Sequence, residues 1–340
     1  MNLLISKSPV DCISPSTGVQ IDNHHMIDSF AQRAYPEYNF CVPVIRRAHG
    51  VIELGDYTLS PSPGFETVQW FIALDGSMCA DQASRLGAQQ LNLPLALIRN
   101  LVDHGFRSGA LIDAHHPPSS LRWVNNRGRE RMHTDLACVQ KHNIDYSNAL
   151  GLSDAAEIID HRNNTLIDVV GQGPLARAVY RIGLDSGFQF TQQRSLASFV
   201  IFVSNSHPHT FDHENSHLCN LPHLHVATRM DNATIGPLVI PDSSSCFRCA
   251  HLHRCDTSPD WMQVDLQWRR QTNSGQSDAI LTHYTALHAL LIIRHWIDGT
   301  ALTNTLWSAK LPWPRFDPQN APPHPLCGCQ LHGSTPTATT

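Results

Sequence analysis

The sequence predicts an α/β protein in two parts, a small α+β module followed by a Rossmann-like domain with a structural zinc site, and three observations carry that expectation. At 340 residues with 41% hydrophobic content, the chain is long enough for two ordinary cores. An apolar, β-branched run, Leu166 to Val170, leads straight into Gly171-Gln172-Gly173 and then a helical stretch. Two close cysteine pairs, Cys246 with Cys249 and Cys327 with Cys329, lie far apart in sequence, as the thiolates of a tetrahedral zinc site do.

Composition narrows the function classes. Only 16% of residues are charged and the formal net charge is -5, so no basic surface is expected to neutralise phosphates and nucleic acid is not an expected partner. The longest apolar run near the amino terminus, Leu3 to Ile5, is far shorter than a signal peptide or a membrane span, so no membrane partner is expected. Ten cysteines without a secretion signal read as reduced thiols or metal ligands, which places the protein in the cytoplasm. The histidines scatter through segments holding His207, His209, His213 and His217 with no repeated ligand spacing, and read as exposed or hydrogen-bonded side chains.

Residues 1–39 are polar and broken by Ser8-Pro9 and Ser14-Pro15, so an irregular segment is expected there. The pattern changes over residues 40–115. Residues 41–45, 51–54 and 57–59 read as strands of a small antiparallel sheet, the first two joined at His49-Gly50. Helices are expected at 65–74, 80–91 and 95–105; Asp75-Gly76 separates the first two, Pro94 introduces the third, and Leu97, Ile98, Leu101 and Val102 give that third helix an apolar stripe. Residues 116–160 read as a linker and helices, with helical stretches near 134–142 and 153–160. A domain over 161–330 and a disordered tail at 331–340 complete the chain.

Three strands followed by three helices, carrying "VIELGDYTLS", the "ALDGS" turn and "LIRNLVDHGFRSGALID", resemble a PqqD-like winged helix, the leader-peptide recognition element of ribosomal peptide maturation. The resemblance implies that an extended peptide adds to the edge of the third strand at Asp56, Tyr57 and Leu59, with its side chains against Leu97 and Leu101. A purely core-forming module is the alternative. DNA binding is disfavoured, because the third helix offers Arg99 as its cation among apolar and acidic neighbours.

The run from Leu166 gives the order strand, glycine turn, helix that a nucleotide-binding turn requires. Gly171 makes the tight turn, Gly173 lets backbone amides approach a phosphate, and Ala176 allows close packing of helix on strand. Two departures matter. Pro174 removes one backbone N–H from the cradle, and the next strand, 188–192, is followed by Gln193 where a ribose-binding Asp or Glu is expected. The turn either binds nucleotide or serves packing alone.

The CxxC pair turns two sulfurs toward one point, and the distant CxC pair would clamp the carboxyl-terminal segment onto the domain. A closed four-thiolate zinc site stabilises without catalysing. Disulfides or unrelated core cysteines are the alternatives. His251, His253 and Cys255 lie near enough to compete as ligands, and Cys255 is a candidate nucleophile.

The segment "IGPLVIPDSSSCFRCAHLHRCDTSPDW" and the closing "HPLCGC" resemble the ThiF-like (ubiquitin-activating-enzyme-like) adenylyltransferase superfamily, of the leader-peptide-binding cyclodehydratase partner type, over residues 160–330. The resemblance implies a ThiF-type domain, an ATP and Mg²⁺ site beside the glycine turn, a peptide or carrier protein as substrate, a YcaO-type enzyme as partner, and a homodimer that buries the apolar stretch 279–296. Several groups that such chemistry uses are missing from this chain. The strand 199–203 ends in Ser204-Asn205-Ser206 rather than an aspartate, the loop after Gly187 carries Arg194 as its single cation, and 187–236 is short for the intervening helices of a nucleotide pocket. Asp212, His213, Glu214 and Asp231 read as loop residues. The expectation is a scaffold with a degenerate adenylyltransferase domain; the alternative is an active ATP-dependent adenylyltransferase.

Overall fold

The computed structural model describes residues 33–46, 52–54, 57–59, 64–122, 126–141, 155–204, 220–270 and 277–329. Asp56, the segment 205–219 with its four histidines, Asp212 and Glu214, and the tail 331–340 lie outside these residues.

Strand β1 (Pro36–Tyr38) pairs antiparallel with β5 (Leu111–Asp113), Pro36 opposite Asp113 and Tyr38 opposite Leu111. β1 therefore lies inside the segment read as irregular. A three-residue strand is too short to show a period, and its partner lies far along the chain. Strands β2 (Val44–Arg46), β3 (Ile52–Leu54) and β4 (Tyr57–Leu59) form the expected antiparallel sheet, although Cys41 falls in a turn before it.

Helices α1 (Phe65–Ile72), α2 (Ala80–Leu91) and α3 (Leu95–Arg107) follow where the sequence places them. The apolar stripe of α3 buries Leu101 and Val102 against Val42, Phe71 and Leu111. The chain after α3 returns to β1 and not to the three-stranded sheet. Helix α4 (Asn126–Lys141) starts well before the expected helix at 134; its polar first turns carry no stripe, and burial of Met132, Leu136 and Val139 against Ile158 and Ile159 of α5 (Ala155–Asn164) holds it. Alternation along β5 sends Leu111 into one core and Ile112 into the other, so one short strand joins both.

The second half is a seven-stranded mixed sheet. In chain order its strands are β6 (Leu166–Val170), β7 (Gln189–Phe190), β8 (Phe199–Ser204), β9 (His223–Arg229), β10 (Asn232–Val239), β11 (Thr305–Lys310) and β12 (Asp317–Asn320), and they lie in the spatial order β12-β11-β10-β9-β8-β6-β7. Strands β7, β6, β8 and β9 are parallel, and the remainder run antiparallel.

Helix α6 (Pro174–Asp185) crosses from β6 to β7, while α7 (Phe247–Thr257), α8 (Trp261–Arg270) and α9 (Ala279–Ile297) lie between β10 and β11 in sequence. Ile167, Val169, Ile201, Leu224, Val226 and Ile235 meet Leu175 and Val179 of α6 and Ala286, Leu290 and Ile293 of α9 in the main core. Val200 and Phe202 are buried on the opposite face, so β8 reads as the unbroken run FVIFV. Between β7 and β8 a single turn of 3₁₀ helix (Arg194–Leu196) stands where a doubly wound sheet would carry an α-helix.

Asp278 caps α9, its Oδ1 accepting from the Leu281 N–H at 2.9 Å. The helix is not enclosed on all sides: Ile280, Tyr284, Leu287 and Leu291 form an exposed stripe, with Ile280 75% exposed. Its apolar composition thus serves two faces, one of them outside the chain's own core. Among the described residues no helix is long and apolar enough to cross a membrane.

Candidate functional site

The glycine turn is built for close approach of two strands. Gly171 has φ +132°, and a Cβ there would sit 2.2 Å from the Val203 carbonyl oxygen of β8. Gly173 (φ +100°) precedes α6, with Pro174 at its first position, and Ala176 is buried beneath it. These are the packing roles that the turn requires.

The groups around the turn are already committed. Arg194 Nη1 donates to Asp168 Oδ2 at 3.1 Å, and its guanidinium lies 5.4 Å from the centre of the Phe202 ring. Asp168 sits on β6, two residues before Val170, so the loop's cation is held by the sheet itself. No Asp or Glu occurs from Gly187 to Ser204, the last residue of β8.

The four predicted cysteines come together. Cys246 precedes α7 and Cys249 lies in its first turn, while Cys327 and Cys329 flank Gly328 (φ +72°) beyond β12. Sulfur separations are 3.8 Å for Cys246–Cys249, 3.3 Å for Cys246–Cys327 and 3.4 Å for Cys249–Cys329, and all four sulfurs lie within 4.8 Å of one another. Tetrahedral Zn²⁺ with bonds of about 2.3 Å spaces its sulfurs by about 3.8 Å. The cluster fits such an ion, and such an ion would stabilise the domain.

Electrostatics agree with that fit. The Cys249 thiol is held well below the ordinary range, chiefly by the hydrogen bond from Cys246; burial opposes this, and the His324 backbone N–H adds to it. Cys246 is pushed up by its hydrogen bond to Cys249 and then by burial, and burial pushes Cys327 up. A thiol cluster therefore favours one thiolate over several, and a dication supplies the charge that releases the remaining protons.

His251 and Cys255 contact each other at 3.6 Å along α7 and are not members of the four-sulfur cluster. Burial, then Asp256 and Asp265, push the Cys255 thiol up, which keeps it protonated and unsuited as a nucleophile. His253 and His324, with Asp256, form a second group beside the cysteines. The sequence singles out His253 beside the cysteines; Asp256 and His324, the histidine three residues before Cys327, are not singled out, because their pairing joins positions far apart in the chain.

Of the residues expected to meet a peptide, Tyr57 and Leu59 lie on β4, an edge strand of the three-stranded sheet. Leu97 is half-buried. Leu101 is only 4% exposed and belongs to the core, so its side chain packs and does not face a groove.

The described residues form a mixed α/β fold with a glycine turn leading into a packed helix and a cluster of four thiols. Solved structures carry the same fold. The crystal structure of E. coli MccB with succinimide superposes with a TM-score of 0.53 at 13% identity, covering 87% of this chain and 98% of that one. MccB with ATP gives 0.54 at 14% identity over 86% and 99% of the two chains. A heterocyclase in complex with substrate and cofactor gives 0.55 at 12% identity, over 85% of this chain and 38% of its own. No family model matches the chain, and no curated protein does.

Proposed function

We propose that this protein is a peptide-binding scaffold of ribosomal peptide maturation, in which the amino-terminal module captures a leader or substrate peptide and the zinc-clamped ThiF-like domain docks a partner enzyme. The observation that carries the reading is coverage: the likeness to MccB, solved with its peptide MccA, extends over 87% of this chain and so includes the amino-terminal module as well as the sheet. The heterocyclase likeness points to the same setting, in which a YcaO-type enzyme would be the partner. In this reading residues 40–115 act as a PqqD-like recognition element, with the peptide adding along β4 at Tyr57 and Leu59 and reaching Leu97; Asp56, the third residue expected to meet it, lies outside the described residues.

The ThiF-like domain is degenerate in this reading. Arg194 is committed to Asp168, Pro174 removes an amide from the cradle, and no Asp or Glu lies between Gly187 and Ser204, the last residue of β8. The exposed stripe Ile280, Tyr284, Leu287 and Leu291, beside Ile182 of α6, pairs with a second copy of the chain, because a row of large apolar side chains at helical spacing is self-complementary about a two-fold axis. Leu287→Glu should convert the dimer to a monomer in light scattering.

An active adenylyltransferase is the second reading, favoured by the structure of MccB with ATP. Calorimetry of the zinc-loaded protein with ATP and Mg²⁺ separates the two. The scaffold reading expects no binding; micromolar binding that disappears in Gly173→Asp would replace it with adenylation of a carboxylate on a peptide or carrier protein.

A further inference from the structure

His253, Asp256 and His324 each bring one ligand-capable atom within 4.8 Å of the other two. The group has the look of a second metal centre, yet its hydrogen bonds argue against one. The Leu326 N–H donates to His324 Nδ1 at 3.1 Å, so Nδ1 holds the lone pair and the ring proton sits on Nε2. That Nε2 lies 2.8 Å from Asp256 Oδ2 and donates to it, leaving no lone pair there for a metal. His253 Nε2 lies 2.9 Å from the Pro322 carbonyl oxygen, which can only accept.

These contacts all fix the segment just before Cys327, and two of them tie it to α7. The His324 backbone reaches the carboxyl-terminal cysteine pair as well: its carbonyl accepts from the Cys327 N–H at 3.0 Å. Its ring also meets the His253 ring edge-on, with centroids 4.7 Å apart.

We infer that Asp256 and His324 are positioning residues of the four-thiol site: their pair, assisted by His253, holds Cys327 and Cys329 against α7 in the geometry that Zn²⁺ needs, and binds no metal itself. This rests on reading the four thiols as a zinc site. Partners of this kind, one shell out from a metal, typically change affinity by about ten- to a hundredfold.

The test uses the full chain and measures metal per chain, the rate of zinc release to a colorimetric chelator, and the thiolate-to-metal absorption of the Co²⁺-loaded protein. The wild type should hold one metal per chain. Asp256→Ala changes a side chain that is 64% exposed, so folding should survive. It should retain one metal and the four-thiolate Co²⁺ spectrum while releasing zinc about ten- to a hundredfold faster. Asp256→Asn, which keeps an acceptor, should recover part of that rate, a recovery that general loss of packing would not produce. His324→Phe keeps ring volume and should match Asp256→Ala.

Unchanged release in Asp256→Ala overturns the inference. Two metals per chain, falling to one in Asp256→Ala, overturns it in favour of a second metal centre. Failure of the zinc reading looks different: the wild type would hold no metal, or metal would persist in Cys327→Ser/Cys329→Ser, and either result removes the site that the pair would position.

Discussion

Arg162 of α5 grips Asp298, just past the end of α9, with two parallel hydrogen bonds, Nε to Oδ1 and Nη2 to Oδ2, each 2.7 Å long. The Asp298 side chain is 2% exposed and that of Arg162 is 13% exposed, so the carboxylate is buried beneath a mostly covered guanidinium. It fastens the helix that leads into β6 to the helix that covers the main core.

Removing one partner strands a buried charge. Arg162→Ala should lower stability by about 3–5 kcal/mol, read as a lower urea midpoint. Replacing both residues with leucine should return most of that loss, because neither charge then remains uncompensated.

Gly171→Ala should cost about 1–3 kcal/mol from its backbone conformation alone, with a further cost from the approach of the new methyl to the Val203 carbonyl. A fall in the thermal midpoint checks this, and the fall should not depend on ATP. Gly64→Ala is the control, since a Cβ there meets nothing within 4 Å.

His288 on α9 stacks on Phe316 with ring centres 4.4 Å apart, and burial lowers its pKa. Because the folded protein binds that proton less readily than the unfolded chain, this site's contribution is intact above the ordinary histidine value of about 6.5 and is lost as pH falls below it. His288→Phe should flatten the fall in thermal midpoint between about pH 7 and about pH 5.

Metal removal and cysteine loss should be one effect. A strong chelator should lower the thermal midpoint of the wild type, and Cys249→Ser should lower it without chelator. Adding chelator to the Cys249→Ser protein should then change nothing.

The sequence made the sheet's centre and the thiol site legible for different reasons. β6, its glycine turn and α6 follow one another without a gap, so local pattern suffices. The cysteine pairs are rare residues at short spacings, and their chemistry leaves few other roles. What stayed hidden depends on distant partners: β1 takes its identity from β5, α4 owes its first turns to Met132 packing on α5, and Asp256 gains meaning only beside His324. Leu101 misled because a helix stripe looks the same whether it faces a core or a ligand.

The clamp also imposes a timetable on synthesis. Cys246 and Cys249 leave the ribosome long before Cys327 and Cys329, with α8, α9 and the last two strands made in between. A nascent or prematurely terminated chain can offer a metal only two of the site's four sulfurs, a weak and incomplete set. Binding of an ion by all four sulfurs would therefore require a chain translated past Cys329, and a shorter product would forgo the stabilisation that the ion supplies.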